Sequence, residues 1–396
     1  MRVSGVICEY DPFHNGHKYL LDKIIADGAD CTIVCMSGNF TQRGEPALID
    51  KYARTKAALL NGADIAIELP VVFACSGAER FAYGGVSILD STGICSRLYF
   101  GSEAGDISLL EKAADAVMSD EVSERMGVYL SSGKSFALSR ELAVCDIYGE
   151  ETAAVLREPN NILGIEYIKA IRKINSSMKA CTFTRTGSAH NSDSISGNII
   201  SASKIRELII SGNDISKYVP ENTLPLIFEN ENESHVPECR RIEKLETAIL
   251  YKLRTMTVRE LAELPDISEG LENRLYSSIR AGCTLEDILS GVKSKRYAMS
   301  RLRRIIMHSF LNISANDMKT PPQYIKILGF NERGLSAIKD MKKASSLPLV
   351  MKYADTSVLS ADGKKMYDTE CRCDDVYAIS DTPVSPCRTQ KLIKIL

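Results

Sequence analysis

The first hundred residues alternate short apolar runs with helical patterns, and that alternation limits the folds open to the chain. Val3 to Cys8 is β-rich and ends in Glu9-Tyr10-Asp11-Pro12. From about His17, the residues Leu20, Leu21, Ile24 and Ile25 recur at helical spacing until Asp27-Gly28 closes the pattern. Cys31 to Met36 reads as a second strand, and residues 50–61 suit a helix. Asp64 to Leu69, stopped by Pro70, is a third strand, and Arg97 to Phe100, stopped by Gly101, is a fourth. Cys181 to Arg185 supplies a fifth. Strands separated by helices pair in parallel, so the expected fold class is α/β, with a doubly wound, Rossmann-like parallel sheet.

The chain has 396 residues, more than one domain ordinarily holds. Residues 1–220 carry the strand–helix alternation. Residues 221–240, with Pro225, Pro237 and several glutamates, read as an acidic connector. Residues 241–396 read as mainly helical, although Tyr324 to Phe330 could be a strand or the start of a helix. With 49 Lys+Arg against 51 Asp+Glu, overall charge predicts no nucleic-acid partner, so any such surface must come from local clustering. There is no apolar run near 20 residues and no signal-peptide pattern, so the expectation is a cytoplasmic protein off the membrane. Most of the 12 cysteines lie among apolar residues without paired spacing, apart from the lone Cys371-Arg372-Cys373. They read as free thiols, with no metal site.

The loop after the first strand carries the chemistry. In a doubly wound sheet, ligands sit at the carboxyl ends of strands, where helix N-termini offer backbone N–H groups to anions. Here His14 and His17 flank Asn15-Gly16, in a chain with 5 histidines. Gly16 admits close backbone approach, and imidazolium groups can donate to phosphate oxygens. Far downstream, Ser201 and Ser203 can cap a helix and offer hydroxyls, while Lys204 and Arg206 supply cations for a triphosphate.

The segment His14-Asn15-Gly16-His17 resembles the His-x-Gly-His signature of the nucleotidylyltransferase superfamily, and Ser201-Ala202-Ser203-Lys204-Ile205-Arg206 resembles its second half. Further segments narrow the resemblance: Met36 to Ala47, Glu68-Leu69-Pro70, Phe100-Gly101-Ser102-Glu103, Pro159 to Gly164, and Ser294-Lys295-Arg296-Tyr297. Nearly end to end, the chain is similar to the bacterial tRNA(Met) cytidine acetate ligase family, departing from its pattern at Asp11 and Leu20.

That resemblance implies an ATP-dependent enzyme joining acetate to the exocyclic amine of the wobble cytidine of elongator tRNA(Met). Acetyl-adenylate would be the intermediate and N4-acetylcytidine the product, with AMP and pyrophosphate released. His14 and His17 would act on the phosphates. ATP would be wrapped by Ile7, Cys8, Glu9, Tyr10, Asp11, Pro12, Phe13, His14, Asn15, Gly16, His17, Lys18, Tyr19 and Leu20. Gly101, Asn161, Arg185, Ser201, Ser203, Lys204 and Arg206 would complete that site. Mg²⁺ would accompany ATP as counter-ion, with no ligand named by the sequence. Asn39, Gln42 and Arg43, after the second strand, could position acetate or the target base.

Residues 291–310 hold six Lys/Arg and no acid: Lys293, Lys295, Arg296, Arg301, Arg303 and Arg304. With Tyr297 available to stack, this stretch reads as an RNA surface. Two other readings remain open at this point. A small-molecule adenylyltransferase shares both motifs but is typically much shorter. An RNA-binding protein on a retired nucleotide fold would not need His14, His17, Lys204 and Arg206 intact.

Overall fold

The computed structural model describes residues 1–396 apart from 186–196, 231–232, 235–240, 269, 295–296, 382–383 and 387–391. Five strands follow the expected order: β1 (Val3–Cys8), β2 (Cys31–Ser37), β3 (Ile65–Leu69), β4 (Cys95–Ser102) and β5 (Lys179–Thr184). They pair in parallel as β3-β2-β1-β4-β5. The chain leaves β1 towards β2 and β3, then returns to the other edge of β1 with β4. The carboxyl end of β1 is therefore a switch point, where such sheets open a ligand crevice.

Alternate residues of β1 serve opposite faces, because side chains alternate across a strand. Val3 and Ile7 join the core beneath α4, whereas Val6 and Cys8 join the core beneath α1 and α2. The helices concerned are α1 (Asn15–Ala26), α2 (Lys51–Leu60), the short α3 (Val71–Ala74), α4 (Ala78–Ser91), α5 (Pro159–Lys173) and α6 (Ala202–Ile210).

The expected connector is a packed element where it is described. Residues Glu221–Thr223 form a 3-10 turn, and the Asn61 amide at the end of α2 donates to Asn222 Oδ1 at 2.9 Å. Beyond it, α7 (Arg241–Thr255), α8 (Leu271–Ala281), α9 (Leu285–Val292) and α10 (Met299–Phe310) share a core of Leu245, Ile249, Leu275, Ile279, Ile288, Leu302 and Ile306. This part is helical, as its 3.6-residue periodicity requires.

The rest of the expected helical region is not a separate helical body. Three strands return to the first sheet: β6 (Ile325–Asn331), β7 (Leu349–Val350) and β8 (Ile393–Ile395). β6 runs antiparallel against β3, pairing Ile65 with Phe330 and Glu68 with Lys326, and β7 and β8 pair in parallel with β6. The sheet is mixed and mostly parallel. The final long helix, α11 (Ala361–Ala378), brings Glu370 and Asp374 under the loop that follows β2.

Candidate active site

His14 is the N-cap of α1, and its ring is locked by its own backbone. The Gly16 N–H donates to His14 Nδ1 at 3.0 Å, and the His14 N–H donates to His17 Nδ1 at 3.3 Å. The two rings stack at 3.7 Å. A Cβ on Gly16 would lie 2.9 Å from the His14 ring, so only glycine fits under this stack. Since each Nδ1 accepts, each neutral ring carries its proton on Nε2. Burial pushes His14 down to about 3, with Arg185 and Arg206 adding to the shift. His17 is held well below its ordinary value by burial, then by His14 and Arg185. The expected imidazolium pair is thus a pair of neutral Nε2–H donors, because two stacked buried cations would repel.

The helix start offers fewer free amides than expected. The Asn15 N–H donates to the Tyr218 carbonyl at 2.9 Å, and the His17 N–H donates to the His14 carbonyl at 2.9 Å. The Asn15 side chain is also spent, donating to the carbonyls of Asn198 and Lys217. The two imidazoles stand at this helix start in the positive field of Arg185 and Arg206.

Among the other residues of 7–20, Cys8, Tyr10 and Phe13 are core residues and Ile7 is buried beneath α4. Tyr10 holds a positive φ of 54°. Lys18 pairs with Asp22 at 2.8 Å, Lys23 lies over the Tyr19 ring, and Leu20 packs on the core. Pro12 lies between Asp11 and Phe13 in the loop. Asp11 is tied to the loop after β2: its carboxylate accepts the Leu48 and Ile49 N–H groups at 3.1 and 3.0 Å.

The Ser201 segment meets this loop. Ser201 caps α6 by accepting the Lys204 N–H at 3.2 Å. Arg206 donates to the Asp11 carbonyl and to Ser203 Oγ, and Arg43 donates to the same Ser203 Oγ at 2.6 Å. Lys204 pairs with Glu207 at 2.8 Å along the helix. Together Glu9, Asp11, Thr41, Arg43, Glu45, Ser203, Arg206 and Arg303 border a cleft of about 280 Å³.

On the other side of the switch point, a Cβ on Gly101 would lie 2.9 Å from the Arg185 side chain. Asn161 Oδ1 accepts the Ala104 N–H at 3.0 Å, and its own N–H donates to Glu103. Asn160 links Glu103 to Arg185. Asn161 and Arg185 are therefore held in one network at the ends of β4 and β5.

Of the three expected substrate residues, only Arg43 presents its side chain at the cleft. Asn39 is buried, donating to Asp374 at 2.9 Å and accepting the Lys51 N–H at 2.9 Å. Gln42 acts through its backbone, its N–H donating to Glu9 Oε1 at 2.7 Å and its carbonyl accepting from Arg304 at 3.1 Å.

The described cations of the basic stretch all find partners within the protein. Tyr297 is buried and Arg301 lies over its ring while donating to the Asp266 carbonyl, so that ring is no open stacking platform. Lys293 donates to the Tyr297 carbonyl at 3.1 Å. Arg303 pairs with Glu45 at 2.7 Å, and Arg304 reaches Asp266 and the Gln42 carbonyl. Lys295 and Arg296 lie outside the described residues. The loop and helix touch so closely that a Cβ on Gly44, at φ 76°, would lie 2.4 Å from the Arg304 nitrogen.

A family model described as HIGH Nucleotidyl Transferase matches residues 1–391. The tRNA(Met) cytidine acetate ligase of Thermoanaerobacter sp. strain X514 is 40% identical over 389 residues, covering 96% of each chain. That of Caldicellulosiruptor saccharolyticus is 40% identical over 387 residues, covering 96% of this chain and 94% of its own. The chain belongs to the tRNA(Met) cytidine acetate ligase family. Apo Thermotoga maritima TmcAL superposes with a TM-score of 0.93 at 32% identity, covering 100% of both chains. The same protein with alpha-thio ATP bound gives 0.91.

Two features of this family member escaped sequence reasoning. Arg54 is buried and donates to the carbonyls of Ile49, Glu9, Ser37 and Gly38, fastening the loops after β1 and β2 to α2. Beneath the same loop, Lys51 bridges Glu68 and Asp374, and Lys326 pairs with Glu68 at 2.6 Å. Glu370 sits beside them and accepts the Val71 N–H at 2.7 Å. Oxygens of Glu68, Glu370 and Asp374 lie within 4.8 Å of one another, and the two lysines supply the cations of that cluster.

Proposed function

We propose that this chain acetylates the wobble cytidine of elongator tRNA(Met), using acetate and ATP. Acetate attacks the α-phosphate to give acetyl-adenylate and pyrophosphate. The cytidine amine then attacks the acetyl carbonyl, giving N4-acetylcytidine and AMP. The observation that carries this reading is the convergence of two neutral Nε2–H donors with Arg185 and Arg206 at the switch point. Donors fixed before reaction stabilise developing phosphate charge without reorganising. ATP, wrapped by residues 7–20 with Gly101 and Asn161, would place its phosphates there.

Mg²⁺ would arrive with ATP on the triphosphate oxygens. The residues present do not fit a resident ion: both Asp11 oxygens and one Glu9 oxygen already accept backbone N–H groups. The RNA is met at the cleft mouth by Arg43 and Arg303, the latter from α10. No described helix is long and apolar enough to cross a membrane, and a tRNA substrate fits work in the cytoplasm.

The test is incorporation of labelled acetate into tRNA, with and without ATP, followed by nucleoside digestion. ATP-dependent label in N4-acetylcytidine supports the reading. Acetate-dependent pyrophosphate exchange without labelled RNA would keep adenylation and reject the acceptor.

A further inference from the structure

The acyl transfer just described leaves one proton to be removed from the attacking amine, and the cleft offers few groups that can take it. His14 and His17 cannot: each Nδ1 already accepts a backbone N–H, so the remaining nitrogen is a donor. Asp11 accepts from Leu48 and Ile49 and lies 3.8 Å from Arg206. Glu45 is paired with Arg303 and Glu207 with Lys204. Glu9 is different. Its Oε1 accepts the Gln42 N–H, while its Oε2 has no hydrogen-bond partner among the described residues.

Glu9 also stands in the right place. It is the first residue past β1, at the switch point, on the wall of the cleft that also holds Arg43, Ser203 and Arg206. Its position is rigid, since Arg54 donates to its carbonyl at 2.6 Å and Gln42 holds its carboxylate. A carboxylate oxygen is the natural acceptor for the exocyclic amine of cytosine.

Resting on the reading above, we propose that Glu9 Oε2 receives the target cytidine amine and takes its proton during acyl transfer. The N4 nitrogen attacks the acetyl carbonyl and a C–N bond forms. The C–O bond to the phosphate breaks, AMP leaves with its electron pair, and the surplus N4 proton passes to Glu9. The groups facing this carboxylate are Arg43 from the loop after β2, Arg206 from α6, and Asp11 from its own loop. Burial raises its affinity for a proton, and the Gln42 N–H, Arg43 and Arg206 pull it partly back. A base held above the ordinary carboxylate range is the better proton acceptor near neutral pH.

Glu9→Gln keeps the shape and the acceptor for Gln42. Acetate-dependent ATP–pyrophosphate exchange and single-turnover transfer to an elongator tRNA(Met) transcript are measured on the same preparation. A positioned base contributes roughly 10²–10⁴-fold, so transfer should fall at least about 100-fold more than exchange. Equal losses in both, or wild-type transfer, overturn the proposal. Glu9→Asp, which retains the base on a shorter arm, should recover part of the transfer rate. Wild-type transfer should rise with pH through one ionisation that Glu9→Gln lacks; an unchanged profile in the variant also overturns it. Absence of acetate-dependent exchange in the wild type rejects the underlying reading, and that control is run before any variant.

Discussion

Arg303, in the basic helix α10, pairs with Glu45, in the loop after β2, at 2.7 Å. This contact changes the role of the helix. A stretch with no acid of its own finds one counter-charge, Glu45, on the loop after β2 and another, Asp266, within the helical region. Arg304 adds a hydrogen bond to the Gln42 carbonyl, and the Gln42 N–H in turn holds Glu9. The helical region thus braces the loop that lines the cleft.

If α10 braces that loop, Arg303→Ala should lower acetate-dependent pyrophosphate exchange even with no tRNA present. The expected loss is several-fold, because the pair is partly exposed and such pairs contribute little to global stability. A helix serving only RNA would leave exchange untouched and change only the affinity for tRNA and its salt dependence. Exchange kinetics without RNA separate the two.

Arg54 is the less visible support. Replacing it with Met keeps apolar volume but strands four carbonyls beneath the site. Hydrogen bonds to a charged group are worth roughly 1.5–3 kcal/mol each, so Arg54→Met should destabilise the protein by at least about 3 kcal/mol in urea unfolding. Arg54→Lys, which lacks the planar fork, should recover only part of that loss. A midpoint equal to wild type would show that the two loops hold without it.

How much of this was legible follows from what a sequence can display. The five parallel strands were, because each is a continuous apolar run bounded by turn residues. The His14–His17 pair was, because its spacing is local. The return of β6 was not: Tyr324 to Phe330 carries Lys326 in its middle, and a lysine there reads as an edge or a surface. Its counter-charge, Glu68, lies on a distant strand, and only pairing in three dimensions makes the lysine a core residue. Arg54 was hidden for the same reason, since one arginine in an amphipathic helix looks solvated. The described cations of 293–304 hide their partners in the opposite way, because the acids that pair with Arg303 and Arg304, Glu45 and Asp266, lie outside the stretch.

The neutral histidine pair gives a pH signature. Its protonation is disfavoured in the folded protein, His14 titrating at about 3 instead of 6.5. The unfolded chain therefore binds more protons between those values, and folding stability falls as pH drops from about 6.5 towards 3. His14→Gln should flatten part of that slope in denaturant unfolding at several pH values. His14→Ala and His17→Ala should each abolish acetate-dependent exchange while tRNA binding persists. Unaltered exchange in both variants would remove the imidazoles from the reaction.

Glu370 produces the opposite slope at higher pH. Two lysines and three carboxylates are buried together, so with both lysines charged one carboxyl is left to keep a proton. Burial would raise Glu68, but Lys326 and Lys51 outweigh it and bring it to about 2. Glu370 touches neither lysine, and burial followed by the charge of Glu68 lifts it to about 8. The folded protein then holds a proton that the unfolded chain releases near 4.5, so stability is lost as pH rises from about 4.5 to 8. Glu370→Gln mimics the protonated acid and can still accept the Val71 N–H. It should match wild type near pH 4 and exceed it by more than about 1 kcal/mol at pH 9, one pKa unit being worth 1.36 kcal/mol. Parallel pH–stability curves for the two proteins would place the proton on a different member of the cluster.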